Sequence, residues 1–365
     1  MKKMKLEDMR PGMITATPVY SKQGQVLVPM HTVLTSQNIS RLYYYEIDSV
    51  FVFPEDEVTD SLLNDADDEE LYLNTYSQRI CSTEEFHNFQ VAYHDKLNFV
   101  TSSLNDIIKN SKPLDQEKLL SEVGTLFQQN STSISVFDML HNMREIDDST
   151  YAHSVNVAII SRMLGQWLHF SQIDLDLLTL SGLFHDIGKC MIEQEIIQKP
   201  AKLTDEEYKR IQEHPQLGCE ILKNYSLDSR ILCGILMHHE RCDGSGYPMG
   251  LKSDRIDKFA QIIAIADVYD AMTANRCYRH GLCPFEVIST FEQEGLHKYN
   301  TKYILTFLEH IADVYSNNDV ILNDKSRGTI VLINRHQLSR PIVRLSDGTF
   351  VNLQERHDLY IDKLI

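Results

Sequence analysis

A carboxylate ends one of the most apolar stretches of the chain. Residues 261–267 read QIIAIAD, and a helix over that run carries Asp267 towards the core. Burying a carboxylate costs on the order of several kcal/mol unless a cation or hydrogen bonds compensate. Whatever packs around Asp267 must therefore supply one. The problem recurs in GLFHDIGK, where the run Leu180 to Phe184 delivers His185 and Asp186 to the end of a buried helix, with Lys189 one turn beyond His185. A fold that satisfies both segments has to gather polar side chains inside an apolar helical core. Imidazole and carboxylate are the side chains that borderline transition metals accept.

Further donors follow the same logic. In MHHERCDGSGYPMG, residues 237–250, the adjacent His238 and His239 point about 100° apart if the backbone is helical, which suggests one ion for each. Gly244 and Gly246 give the following loop its backbone freedom. Pro248 fixes a corner, holding Tyr247 against whatever approaches. His153 lies in YAHSVNVAII, where a helical pattern with Tyr151 and Val157 turns it onto an apolar face. Alone it reads as a core-packed histidine. His214 stands in EHPQLG. The candidate ligands are then His153, His185, Asp186, His214, His238, His239 and Asp267, a set that suits two ions about 3.5 to 4 Å apart bridged by the two oxygens of Asp186. The chain has 15 histidines, so their number decides nothing; order and flanking motifs do.

Those motifs resemble the HD-GYP subgroup of the HD phosphohydrolase superfamily. The likeness covers roughly residues 146–315 and rests on HDIGK, RIQEHPQLGCEIL, HHERCDGSGYP and ADVYDAMTANRCYR. It implies an all-α HD-type helical bundle, two divalent metal ions with iron or manganese expected, and opening of cyclic di-GMP to linear pGpG. Onward cleavage to GMP is left open. Asp186 and Lys189 would then be catalytic. Lys189, Gly246, Tyr247, Arg276 and Arg279 would bind the substrate, arginine offering a planar fork that pairs with phosphate and stacks on purines. Tyr278 reads equally as a stacking residue or as core packing, and Cys277 replaces the proline usual in the family. Members with a third metal carry a glutamate one turn before the first histidine, where this chain has Ser149, so two ions are expected rather than three. Two other readings stay open: hydrolysis of another cyclic dinucleotide such as cyclic GMP-AMP, and a sensor that binds the nucleotide without turnover.

Composition bounds the partners. A net charge of −17 argues against duplex nucleic acid, whose phosphates demand clustered Lys and Arg. A small anionic ligand must be drawn instead by Lys189, Arg276, Arg279 and the ions. No apolar span is long enough for a membrane helix and MKKMKLEDMRPGM lacks the apolar core of a secretion signal, so a cytoplasmic location is expected. Seven cysteines without a CxxC pair fit reduced thiols, with Cys190 beside the site.

The chain reads as multidomain. Residues 1–54 form a small α+β module: strands within Ile14 to Val28 around Lys22-Gln23-Gly24, a helix over Thr35 to Tyr45 and a strand at Ser49 to Phe53. It is either a cap or a sensory unit. Residues 55–82 are an acidic linker, with nine acidic and no basic residues between Glu55 and Glu70. Residues 83–145 are helical, with Phe86, Phe89, Val91, Leu97, Val100, Leu104 and Ile107 on one long face and a second helix over Leu119 to Phe127. These helices either dimerise and relay a signal or pack on the bundle. The catalytic region spans 146–318, with a capping box at Thr204 and Glu207 and Pro284 in a helix first turn. Residues 319–365 form a small β appendage with strands at Gly328 to Asn334, Pro341 to Leu345, Thr349 to Leu353 and Leu359 to Leu364, turned at Ser346-Asp347-Gly348.

Overall fold

The computed structural model describes residues 2–6, 9–10, 12–17, 19–20, 26–28, 32–34, 38–39, 42, 47, 49–53, 76–109, 113–128, 133–143, 150–199, 201–274 and 281–365. They divide into two compact units, Met1–Thr75 and Tyr76–Ile365.

In the first unit, β1 (Lys2–Lys5) pairs antiparallel with β4 (Ser49–Val52), and β2 (Val19–Tyr20) pairs antiparallel with β3 (Val26–Val28). Leu6, Val19, Leu27, Val28, Leu34, Leu42, Val50 and Val52 form its core. The β2–β3 hairpin and β4 fall where the sequence places strands, but β1 was not expected, because KKMK has no alternating apolar signal. The turn Lys22-Gln23-Gly24, most of the Thr35 to Tyr45 helix and the acidic run Glu55 to Glu70 lie outside the described residues.

The second unit begins with α1 (Tyr76–Cys81), α2 (Glu84–Ile108), α3 (Gln116–Gln128) and α4 (Ser133–Met143). Thr83 caps α2 by accepting from the Phe86 amide, and Glu84 and Glu85 oppose the positive end of the helix dipole. Its buried face is Phe86, Phe89, Tyr93, Leu97, Val100, Leu104 and Ile107. Val91, expected on that face, is 52% exposed, and Tyr93 takes its place. Two residues beyond Phe89 is about 200° round the helix, whereas four is nearly one turn. The Tyr93 hydroxyl donates to Asn156 Oδ1 at 2.6 Å, so α2 is bonded into the bundle rather than extended from it.

The bundle continues with α5 (Thr150–Trp167), α6 (Gln172–Phe184), a 3-10 turn (Ile187–Met191), α7 (Gln194–Ile197), α8 (Asp205–Ile211), α9 (His214–Leu222), α10 (Ser229–Met237), α11 (Lys258–Thr273), α12 (Pro284–Thr290), α13 (Leu296–Lys298) and α14 (Thr301–Val314). The capping box at Thr204 and Glu207 starts α8, and Pro284 opens α12. Helices α5 and α6 run antiparallel, with His153 near His185 at one end and Arg162 bonded to Asp176 and Thr179 at the other. Between them Gly182 packs on Ala158, where a Cβ would stand 2.7 Å from the Ala158 Cα. At its first turn α6 carries Asp174, which binds Arg230 of α10 at 2.6 Å and Lys258 of α11 at 3.1 Å. One carboxylate therefore pins the N-terminal ends of the three helices whose other portions carry His185, His238 and Asp267.

The chain ends in an antiparallel sheet of order β8-β7-β6-β5-β9: β5 (Asp319–Leu322), β6 (Arg327–Leu332), β7 (Ile342–Leu345), β8 (Phe350–Asn352) and β9 (Ile361–Leu364). The expected strands are present. The unexpected β5 follows α14 directly and is too short to declare itself by alternation. Val320, Ile330, Val343, Leu353 and Ile361 join the apolar cluster that fills the helices. Residues from 83–145, 146–318 and 319–365 thus share one core, which is the packing alternative for the helices of 83–145 and joins the β appendage to the bundle. Among the described residues no helix is long and apolar enough to cross a membrane.

Candidate metal centre

The seven candidate ligands converge from five places in the bundle. His153 projects from α5, His185 caps the C-terminal end of α6, and Asp186 follows it. His214 opens α9, His238 caps α10 with His239 just beyond, and Asp267 lies within α11. Two donor groups result: Asp186, His214, His238 and His239 in one, and His153, His185 and Asp267 in the other. Within each, the ligand atoms lie within 4.8 Å of one another. The Asp186 carboxylate is divided between them. Its Oδ1 is 3.3 Å from His214 Nε2 and 3.9 Å from His238 Nε2, while its Oδ2 is 3.3 Å from His185 Nε2 and 3.7 Å from His153 Nε2. His238 and His239 share a group, against the expectation of one ion each. The His238 backbone is still helical, with φ −64° and ψ −18°, and the two rings lie side by side with centroids 4.1 Å apart, so adjacency brings both to one group.

Helix ends set the orientation of three imidazoles. The Nδ1–H groups of His185, His214 and His238 donate to the carbonyls of Gly182, Ile211 and Ile235 at 2.8, 2.7 and 2.7 Å. These are carbonyls from the last turns of α6, α8 and α10, which lack a partner within the helix. Since each Nδ1 must carry the proton to donate, each Nε2 presents its lone pair to the centre. His214 and His238 consequently face each other with two lone pairs at 3.2 Å. His185 Nε2 and Asp186 Oδ1 are buried without a hydrogen-bond partner, because their near neighbours are acceptors too.

Protons do not resolve this. Burial, reinforced by the neighbouring imidazoles, pushes His238 well below the ordinary histidine value and His239 down to about 3; it also lowers His214, with Asp186 opposing. Inward lone pairs, orphaned acceptors and nonprotonated imidazoles fit divalent cations. On the other side, burial opposes the His153 proton, but hydrogen bonds and charge from Asp267 and Asp270 overcome it and raise His153 to about 10. Asp186 and Asp267 are held well below the carboxylate range: burial acts upwards on both, His185 and Lys189 outweigh it at Asp186, and the His153 hydrogen bond with the nearby imidazoles outweighs it at Asp267. Lys189 Nζ is 2.5 Å from Asp186 Oδ2, with the side chain 28% exposed, so it reaches from the shared carboxylate to solvent.

The glycine-proline loop forms a wall of the centre. Glu240, 2% exposed, accepts from the amides of Met249 at 2.7 Å and Leu251 at 2.8 Å, which closes the loop on itself. At Gly246 a Cβ would lie 2.4 Å from the His239 carbonyl oxygen and from the Arg241 nitrogen, so only glycine lets the backbone pass there. Tyr247 stacks on His239 with centroids 4.6 Å apart and planes 23° from parallel. It thus packs against a candidate ligand. Arg276, Cys277, Tyr278, Arg279 and Ser149 lie outside the described residues. The sequence reading passed over Glu240 and Asp270 as site residues. For Asp270 the available signal was its place three residues after Asp267, on the same face of the same apolar helix.

The HD domain family profile matches residues 117–302, just over half of the chain. The chain belongs to the HD domain family. Its relatives include a cyclic di-GMP phosphodiesterase of Pseudomonas aeruginosa, 33% identical over 194 residues that cover 53% of this chain and 46% of the relative. A 3'3'-cGAMP-specific phosphodiesterase of Vibrio cholerae is 40% identical over 145 residues, covering 40% and 34%. A cyclic di-GMP phosphodiesterase of Thermotoga maritima is 32% identical over 190 residues, covering 50% of each. The chain spans half or less of the length of these curated relatives. In fold, this HD protein is similar to an HDG"Y"P protein from Bdellovibrio bacteriovorus, with a TM-score of 0.51 at 16% identity over 86% of this chain and 98% of that one.

Proposed function

We propose that the chain is a metal-dependent phosphodiesterase of the HD-GYP type that opens cyclic di-GMP to linear pGpG. The observation that carries this reading is the Asp186 carboxylate divided between two histidine-rich donor groups, with Lys189 beside it. A pair of divalent ions held by His153, His185, Asp186, His214, His238, His239 and Asp267 would supply positive charge to phosphoryl oxygens and make hydroxide available at neutral pH. The ions expected are iron or manganese.

The chain's own groups set the rest. A phosphodiester is an anion, and Lys189 is a cation that reaches from the centre to solvent, so it would contact a nonbridging oxygen. Tyr247 would limit access from the loop side, with Gly246 allowing the backbone its close approach. Arg276 and Arg279 would take the second phosphate or a guanine. The cyclic dinucleotide activities of the relatives from P. aeruginosa and T. maritima support this substrate class. The V. cholerae relative, at 40% identity, favours cyclic GMP-AMP as the second candidate.

The test is turnover. Protein purified without oxygen and loaded with Fe2+ or Mn2+ should convert cyclic di-GMP to pGpG by chromatography, and faster than it converts 3'3'-cGAMP. A higher rate on 3'3'-cGAMP selects the second substrate, and tight binding with no linear product overturns the enzymatic reading.

A further inference from the structure

His153 differs from His185, His214 and His238 in how it is held. Those three sit at helix boundaries, where unpaired carbonyls accept the Nδ1 proton. His153 is the fourth residue of α5, and among the described residues its ring is bonded to side-chain carboxylates and to no backbone carbonyl. Its orientation must come from another element, and α11 supplies it. Asp270 Oδ2 is 2.8 Å from His153 Nδ1, while Asp267 Oδ1, one helical turn back, is 3.2 Å from His153 Nε2. Asp270 is itself 1% exposed, and a carboxylate is not buried there at no cost.

We propose that Asp270 is a positioning residue for one of the two ions: by accepting the His153 Nδ1 proton it fixes the tautomer that turns Nε2 towards Asp186 and Asp267. Helix α11 then serves the centre twice, with a ligand at Asp267 and an outer carboxylate at Asp270, and it ties α5 to the site. The other donor group relies on backbone carbonyls for the rings that are fixed. Loss of Asp270 therefore acts on one ion and spares the other. This inference rests on the two-ion reading of the centre.

The experiment is a titration of the metal-free full chain with Co2+, followed by calorimetry and by proton NMR of exchangeable, metal-shifted imidazole N–H signals. Wild type should take up two ions and show a signal that disappears in His153→Ala. In Asp270→Ala that signal should be lost to solvent exchange. One ion should bind roughly 10–100-fold more weakly, the scale for removal of an outer-shell partner, while the other keeps its affinity. Asp270→Asn, which keeps an acceptor without the charge, should retain the signal and weaken the same ion by less. Wild-type affinity for both ions in Asp270→Ala with the signal in place overturns the role of Asp270, as does equal weakening of both. Should the alanine variant fail to fold, Asp270→Asn decides alone: one ion weakened supports the role, and neither or both weakened refutes it. Wild type that takes up fewer than two ions refutes instead the two-ion reading beneath it.

Discussion

A single methyl group at Gly188 should disturb the centre without touching a ligand. Gly188 lies in the 3-10 turn after Asp186, packed against α9. A Cβ there would stand 1.9 Å from the His214 carbonyl oxygen and 2.5 Å from the Gly218 nitrogen, both backbone atoms that no rotamer change can move aside. Ordinary contact begins at 3.4 Å, so the turn and α9 must separate by about 1.5 Å. Overpacking of this kind costs about 1–3 kcal/mol, and obstruction by backbone atoms of α9 rather than a side chain places Gly188→Ala near the upper end. At about 2–4 °C per kcal/mol for a unit of this size, the melting temperature should fall by about 6–12 °C. The same separation draws His214 away from Asp186 Oδ1, now 3.3 Å apart, and a displacement of about 1 Å can cost 100-fold in rate. Gly124 in α3 is the control: nothing lies within 4 Å of its Cβ position, so Gly124→Ala should stabilise by about 0.5–1 kcal/mol through helix propensity. Calorimetric melting of both variants and metal content after loading are the assays. Gly188→Ala that melts with wild type and holds both ions would refute the claim that this contact sets the spacing of the two donor groups.

Three further outcomes follow from the same geometry. Asp186→Asn removes the anion shared by both donor groups and should lower turnover by at least about 1000-fold with loss of bound metal; full metal content by mass spectrometry with activity retained would exclude a bridging role. Glu240→Gln sets an amide against two backbone N–H donors and should cost about 1–3 kcal/mol in urea unfolding while raising KM more than it lowers kcat; an unchanged KM would show that the loop does not depend on this clamp. Asp174 is held below its ordinary 3.8 chiefly by the Lys258 hydrogen bond, against a smaller effect of burial and with Arg230 adding to it. Its folded value is depressed, so its contribution is present above about pH 4 and is lost as pH falls through that lowered value. The stability gap between wild type and Asp174→Asn should therefore be open at pH 7 and closed in strong acid, and a gap independent of pH would refute the ion-pair account.

What could be read from the sequence, and what could not, follows from the range of the forces involved. Asp267 after QIIAIA and His185-Asp186 after GLF were legible because a charged group at the end of an apolar helix poses a local problem, visible within one turn. Val91 was misplaced on α2 although the spacing was legible: the buried residues Phe86, Phe89, Tyr93 and Leu97 keep intervals of three and four, and Val91 breaks them, while Tyr93 reads as polar until its hydroxyl finds Asn156. The merging of 83–145 and 319–365 with the bundle is invisible to local pattern, since an amphipathic helix looks the same whether its partner is a second chain or its own core. The pairing of His238 with His239 on one donor group depends on how the side chains turn towards Asp186 and His214, which the spacing of adjacent residues does not state. Asp270 lies between these cases. Its spacing from Asp267 put it on the right face, but nothing in the sequence says that His153, 117 residues earlier, lacks a carbonyl for its ring nitrogen. A ligand at a helix boundary can be oriented by its own backbone, whereas a ligand inside a helix needs a second element. For an interior histidine proposed as a metal ligand, the residue to look for is therefore a carboxylate one turn from another ligand on a neighbouring helix.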